Sequence, residues 1–308
     1  MKIGITGASG LIGNELCARL EQGGHQITRF VRERNASSDT AYWDYLSGEI
    51  DTLALSRLDS LVHLAGESIV GLRWTKEKKR KIRDSRVLST KFLVDTLARI
   101  EQGPSSFVCG SAIGFYGSRG NELLSEQSSR GTGFLSDTVR EWENAAQAAA
   151  RHSVRVVSVR IGLVLSEKGG ALRSMLPAFR LGLGGIVGSG RQFYSWISLT
   201  DVARAIEHCI LDSTLHGAVN AVAPNPVTNK EFTKQLGEAL NRPTLIPLPA
   251  FVVKTLFGEM GDALLLSSTR VSPQRLRESG FSFSSEQLSG AFAEIFSPNV
   301  IIEKQRSV

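Results

Sequence analysis

The octapeptide TGASGLIG, Thr6 to Gly13, joins a strand-like KIGIT to a helix-like LIGNELCARL. No other stretch restricts the fold as tightly. A sharp strand-to-helix turn calls for glycine at Gly7. Gly10 lets the backbone approach a pyrophosphate with no Cβ in the way, and Gly13 lets the helix pack close to the strand. The helix N-terminus then offers free N–H groups and partial positive charge to an anion. Gly7, Ser9, Gly10, Leu11, Ile12 and Gly13 are the expected phosphate-binding residues. Three glycines alone would mean little; here a strand precedes, a helix follows and a second strand, HQITRFVR, comes next.

The rest of the chain repeats that alternation. LDSLVHLAG, SSFVCGSA and VRVVSVRIGLVL read as strands. Between them, Ser85–Ile100 reads as a helix with Leu88, Phe92 and Leu97 inward, and Phe134–Ala150 reads as another. Strands alternating with helices of this length mean a parallel sheet covered on both faces. The expected class is α/β, a Rossmann-type doubly wound parallel sheet with a smaller C-terminal substrate-side lobe. Glycine becomes dense after Leu165, in GLGGIVGSG. The expected division is a cofactor domain over 1–223, with a lobe insertion at about 166–195, and a C-terminal lobe over 224–308. WISLTDVARAI is a strand feeding a helix, with Asp201 as its N-cap. TNKEFTKQLGEALNRP is a helix with a Thr or Asn start, and the terminal EKQRSV is expected to fray.

Composition narrows the classes. The 308 residues hold three cysteines, Cys17, Cys109 and Cys209, too scattered for a disulfide framework or a metal site. No apolar run approaches the ~20 residues that cross a bilayer, and MKIGIT is unlike a signal peptide. A reducing, cytoplasmic setting is expected, with no membrane partner and no metal. The net charge of +6 is concentrated: Arg73 to Lys91 holds nine Lys and Arg and two acids. RWTKEKKRKIRDSR is either an anion site or a solvated helix face. No aromatic platform accompanies it, so nucleic acid is not an expected partner.

The end of the second strand selects the dinucleotide. An acid there bonds the ribose 2′-OH of NAD; an arginine holds the 2′-phosphate of NADP. ITRFVRER places Arg32 at that point. NADP is the expected cofactor, although a one-residue register shift would bring Glu33 there instead. HLAG, His63 to Gly66, ends the strand that passes under the adenine-ribose.

TGASGLIG, HLAGESI followed by RW, SRVLST, SAIGFYG, REWE, VRIGLVLSEKGGAL, WISLTDVARAI and LPAFVVKTLFGEMGDALLLSSTRVSPQRL occur in this order. With its G-x-x-G-x-x-G spacing, this series resembles the extended short-chain dehydrogenase/reductase superfamily. Its nearer likeness is the atypical "epimerase family protein" branch with a DUF1731 C-terminal segment. The resemblance covers about Lys2 to Phe296. It implies NADP binding, with Arg32, Leu64, Ala65, Gly66 and Arg86 lining the cofactor, and a homodimer.

Ordinary members of that superfamily use Ser or Thr, Tyr and Lys, the lysine lowering the tyrosine pKa from about 10. The resemblance places Ala112, Leu135 and Val139 in those three seats, and neither Tyr nor Lys occurs between Ser118 and Lys168. Leu135, Val139, Trp142 and Ala146 make one apolar stripe, which either seals a dry nicotinamide pocket or is core. Tyr116, Ser111 and Glu67 are the alternative proton donors. Two readings follow: an NADP-dependent oxidoreductase-like enzyme lacking the usual triad, its substrate unspecified, or a non-catalytic NADP(H)-binding redox sensor or assembly factor.

Overall fold

The computed structural model describes residues 1–34, 37, 39–71 and 73–296. EKQRSV lies outside them. The first half builds β1 (Lys2–Thr6), α1 (Leu11–Gln22), β2 (Gln26–Val31), β3 (Thr40–Asp44), β4 (Glu49–Ile50), α2 (Thr52–Ser56), β5 (Ser60–His63), α3 (Lys76–Leu97) and β6 (Ser106–Ala112). There follow β7 (Leu123–Leu124), α4 (Phe134–Gln147), β8 (Arg155–Ile161), β9 (Leu163–Leu165), α5 (Gly170–Arg180), β10 (Phe193–Tyr194), β11 (Trp196–Ser198), α6 (Leu199–Leu211) and β12 (Gly217–Ala221). The remainder is β13 (Val227–Thr228), α7 (Asn229–Leu240), α8 (Ala250–Phe257), α9 (Glu259–Gly261), a π-helical turn at Asp262–Leu266, β14 (Arg270–Val271), α10 (Gln274–Glu278) and α11 (Leu288–Phe296).

Eight strands form the main sheet in the order β12-β8-β6-β5-β1-β2-β3-β4. All neighbours are parallel except the edge pair β3–β4. Strand order reverses between β1 and β5, which opens a crevice at their C-terminal ends. β5 is buried along its whole length and β6 along all but its last residue, the signature of strands covered on both faces. One face packs α1 and α6 around Leu16, Leu20, Val202 and Ile206. The other packs α3 and α4 around Leu93, Leu97, Trp142 and Ala146. The expected α/β class holds.

Two expectations change here. The helix read as Ser85–Ile100 begins at Lys76, where Thr75 Oγ1 accepts the Lys78 N–H at 3.1 Å. With Ile82, Ser89, Leu93 and Leu97 buried, the inward stripe excludes Leu88, which is 43% exposed. The helix read to Ala150 ends at Gln147 and tightens into a 3₁₀ turn, Ala148–His152, closed by Ser153 at φ 60°. The Thr start of α7 is a full capping box, Thr228 with Glu231.

A third core holds the lobe. Leu172, Leu176 and Phe179 of α5 meet Phe232 and Leu236 of α7 and Leu288 and Phe292 of α11. The chain between α9 and α11 then returns to the sheet half. β14 pairs with β7, and Leu276 of α10 joins the core under α1 and α6.

Candidate functional site

The glycine loop has the geometry its sequence demands. Gly7 sits at φ +72°, and a Cβ there would lie 2.7 Å from the Ala65 nitrogen and the Leu64 carbonyl carbon. A Cβ on Gly13 would lie 2.2 Å from the Gly7 oxygen. Real Cβ atoms do not approach so closely, so both positions require glycine. Gly10 is the N-cap of α1 and supplies no side-chain cap. The first-turn N–H groups therefore point into the crevice without a side-chain acceptor. Ser9 and Gly10 are exposed there, and Leu11 and Ile12 are half-buried.

The opposite wall is the end of β5. Leu64 and Ala65 are half-buried and Gly66 is exposed. Arg86 braces this turn from behind: its Nη1 donates to the Glu67 carbonyl at 2.9 Å and the Ile82 carbonyl at 3.0 Å. Its guanidinium also lies over the Trp142 ring at 5.3 Å. Burial pushes its pKa down to about 10. At the far end, Arg32 follows β2 and is exposed, with no hydrogen bond or ion pair among the described residues. Arg34 is committed to Glu49 and the Tyr42 ring. An uncapped helix start, two obligatory glycines and an exposed arginine fit the diphosphate and 2′-phosphate of a dinucleotide.

His63 is structural. Its ring is wholly buried, with Nδ1 2.6 Å from Thr6 Oγ1 and Nε2 3.0 Å from Ser89 Oγ. Ser89 already donates to the Ser85 carbonyl at 2.7 Å. It therefore accepts from Nε2–H, and Nδ1 accepts from Thr6. Burial lowers the ring pKa to about 3. This neutral relay fastens the glycine-loop strand to α3.

The proton-donor candidates separate. Tyr116 is fully buried; its hydroxyl donates to Asn220 Oδ1 at 2.7 Å and accepts from Arg160 at 2.9 Å. Ser111 is 4% exposed and donates to Glu143 Oε1 at 2.6 Å. Both placements count against the expected role of proton donor, because each hydroxyl faces inward into one network. Ser111, Arg160 and Asn220 stand in register across β6, β8 and β12, and Arg160 binds both oxygens of Glu143 at 2.8 Å. Glu67 is different: half-exposed, it accepts from Lys78 Nζ at 2.6 Å, and that ammonium lowers its pKa. Of the three family seats, Ala112 and Leu135 are half-buried and Val139 is core.

Asp201 is not the N-cap of α6. Ser198 caps that helix, accepting from the Asp201 N–H at 2.9 Å. The buried Asp201 carboxylate instead accepts from the Ser284 N–H at 2.9 Å and the Ser285 N–H at 3.2 Å, and pairs with Arg204.

The basic stretch is largely neutralised by its own chain. Lys78 pairs with Glu67, Lys79 with Glu259, Lys81 with Glu77 and Arg83 with Glu141. Arg73 donates to the Thr255 and Leu256 carbonyls at the end of α8. Lys76, Arg80 and Lys81 lie on an exposed helix face, as one of the two readings had it, and through Arg73 and Lys79 the run also clasps α8 and α9. Among the described residues no cluster of three His, Cys, Asp or Glu could hold a metal, and no helix is long and apolar enough to cross a membrane.

Comparison with known proteins bears on this geometry. Residues 3–221 match the NAD dependent epimerase/dehydratase family, and residues 248–295 match a domain of unknown function, DUF1731. Epimerase family protein Mb2239 of Mycobacterium bovis is 43% identical over 281 residues, covering 91% of this chain and 93% of its own. The crystal structure of human epimerase family protein SDR39U1 (isoform 2) with NADPH superposes with a TM-score of 0.87 at 35% identity, covering 97% of this chain and 100% of that one. The nucleoside-diphosphate sugar epimerase of Corynebacterium glutamicum superposes with a TM-score of 0.80 at 33% identity, covering 99% of this chain and 61% of that one.

Proposed function

We propose, from the premise that this chain belongs to the NAD dependent epimerase/dehydratase family, that it is an NADP(H)-binding oxidoreductase-type protein that works without the Tyr–Lys pair. One observation carries the cofactor half: the uncapped start of α1 over Gly7, Gly10 and Gly13, with exposed Arg32 beyond it. The NADPH in the human SDR39U1 structure supports the same choice. The first-turn N–H groups would hold the diphosphate, Arg32 the 2′-phosphate, and Leu64, Ala65 and Gly66 the ribose side. Residues 1–223 would form the cofactor half and 224–308 the lobe. Bound there, NADPH supplies a hydride. The protein must supply the proton, and Tyr116 and Ser111 are committed elsewhere. Glu67 is held ionised by Lys78, so it acts as a proton acceptor or orients the Lys78 ammonium, which is then the donor.

A second reading keeps the cofactor and drops the chemistry. Ala112, Leu135 and Val139 have no proton to transfer, which favours an NADP(H)-responsive sensor or assembly factor. NADPH oxidation against a broad panel of carbonyl compounds separates the two. Turnover that Lys78→Met abolishes, with NADPH affinity unchanged, supports the enzyme. No turnover, with a binding partner captured only in NADPH, supports the sensor.

A further inference from the structure

The surroundings of the site bear on what it accepts, provided the cofactor reading above is right. Its apolar wall is continuous. Leu135 Cβ lies 3.4 Å from where a Cβ on Gly114 would sit, just beyond the end of β6. Phe134 meets Trp74 edge-on with centroids 5.3 Å apart. Trp74 Nε1 donates to the Ile69 carbonyl at 2.9 Å, so the indole's polar edge is satisfied within its own loop. Ile69, Trp74, Phe134 and Leu135 thus join the end of β5 to the start of α4, and the one cation on them, the Lys79 ammonium over the Phe134 ring at 4.9 Å, is paired with Glu259.

The cations nearby are already committed. Arg73 caps α8, Lys78 holds Glu67, Lys79 holds Glu259 and Arg130 holds Asp137. Arg86 and Arg160 lie behind the wall, on carbonyls and on Glu143. On the lobe side two polar groups are spent on its own backbone. Gln192 Nε2 donates to the Val187 and Leu265 carbonyls at 2.9 and 3.1 Å, and the Tyr194 hydroxyl donates to Leu265 at 2.9 Å. The π-helical turn therefore occupies the face that Gln192 and Tyr194 present. Within β10 Phe193 and Tyr194 point to opposite faces, and Arg270 stacks on the Phe193 ring at 5.0 Å. A diphosphate in the cleft would lose its water without gaining the charge-assisted hydrogen bonds that make such transfers tolerable.

We infer that the substrate of this site is an uncharged, largely apolar carbonyl compound, seated on Leu135, Phe134 and Trp74, and not a nucleoside-diphosphate sugar. This deepens the cofactor reading and rests on it.

The test uses the full chain saturated with NADP⁺, so that no turnover occurs. Fluorescence anisotropy follows 6-methoxy-2-naphthaldehyde, an uncharged aromatic aldehyde, and calorimetry follows UDP-glucose. Saturable binding of the aldehyde and none of UDP-glucose is expected. Leu135→Asp places a carboxylate against the wall and should weaken the aldehyde about tenfold or more. It sits in the first turn of α4, where an acid suits the helix dipole, so the variant should fold. Leu135→Met should restore the affinity. UDP-glucose binding tighter than the aldehyde would overturn the inference, as would aldehyde affinity indifferent to Leu135→Asp. Failure of the cofactor reading shows separately, as absence of NADP⁺ binding. Both probes are then titrated against the cofactor-free chain, with the same outcomes deciding.

Discussion

Arg160 holds both carboxylate oxygens of Glu143 at 2.8 Å, with its side chain only 5% exposed. The guanidinium also stacks on Phe115 at 3.5 Å and donates to Tyr116. Two charges buried together cost desolvation that a good geometry only partly offsets, but removing one leaves the other stranded. Glu143→Leu should therefore destabilise the fold by about 3–5 kcal/mol, read as a lower urea midpoint. Adding Arg160→Met should recover much of that loss; a double variant no more stable than the single would show that the loss is packing, not charge.

Leu135 and Val139 share a stripe but not an environment. Leu135→Tyr should fold as the parent does, because the position is half-exposed. Val139 is 3% exposed, and Val139→Lys should lose several kcal/mol, since an ammonium there has no water. Equal thermal midpoints for the two variants would contradict this split.

Much of this was legible in the sequence, and the limits have a physical cause. The glycine loop, the alternating strands and the Thr228 cap are local, so their spacing along the chain announces them. Asp201 looked like an N-cap because local rules see only its own helix; its amide partners come from Ser284 and Ser285, 83 and 84 residues away. Arg160 was hidden inside a near-continuous apolar run, and only the sheet register brings it beside Ser111 and Asn220. The clasp made by Arg73 and Lys79 was hidden for the same reason, since Glu259 and the end of α8 meet the basic stretch only in the fold.

Arg32→Asp should weaken NADPH binding about tenfold or more by removing a charge-assisted phosphate contact, and should spare NADH. Fluorescence titration of the two nucleotides reads the difference. A parallel fall in both affinities would make Arg32 a structural residue.

His63 gives the protein an acid sensitivity of definite sign. Its folded pKa, about 3, lies below the ordinary 6.5, so the unfolded chain takes up a proton that the folded one refuses. The stabilisation is complete above pH 6.5 and drains away as pH falls toward 3, on the order of a few kcal/mol in all. The urea midpoint should fall between pH 7 and 5.5, and His63→Gln should flatten that part of the profile. The His63 C2 proton, followed by NMR, should not titrate in that range.

The pairing of β14 with β7 has a consequence for how the chain reaches this structure. Arg275 meets Glu126 across 149 residues, and the Ser272 carbonyl accepts from Asn220, itself bonded to Tyr116. Both contacts lock onto the sheet half, yet their partners follow all eight strands of the main sheet along the chain. During synthesis the cofactor half can close its eight strands while β7 still waits, unpaired, for β14. Synthesis thus delivers the partners of the buried network under the site only after the sheet strands. A chain that stops before β14 would carry a formed glycine loop over an unfinished floor.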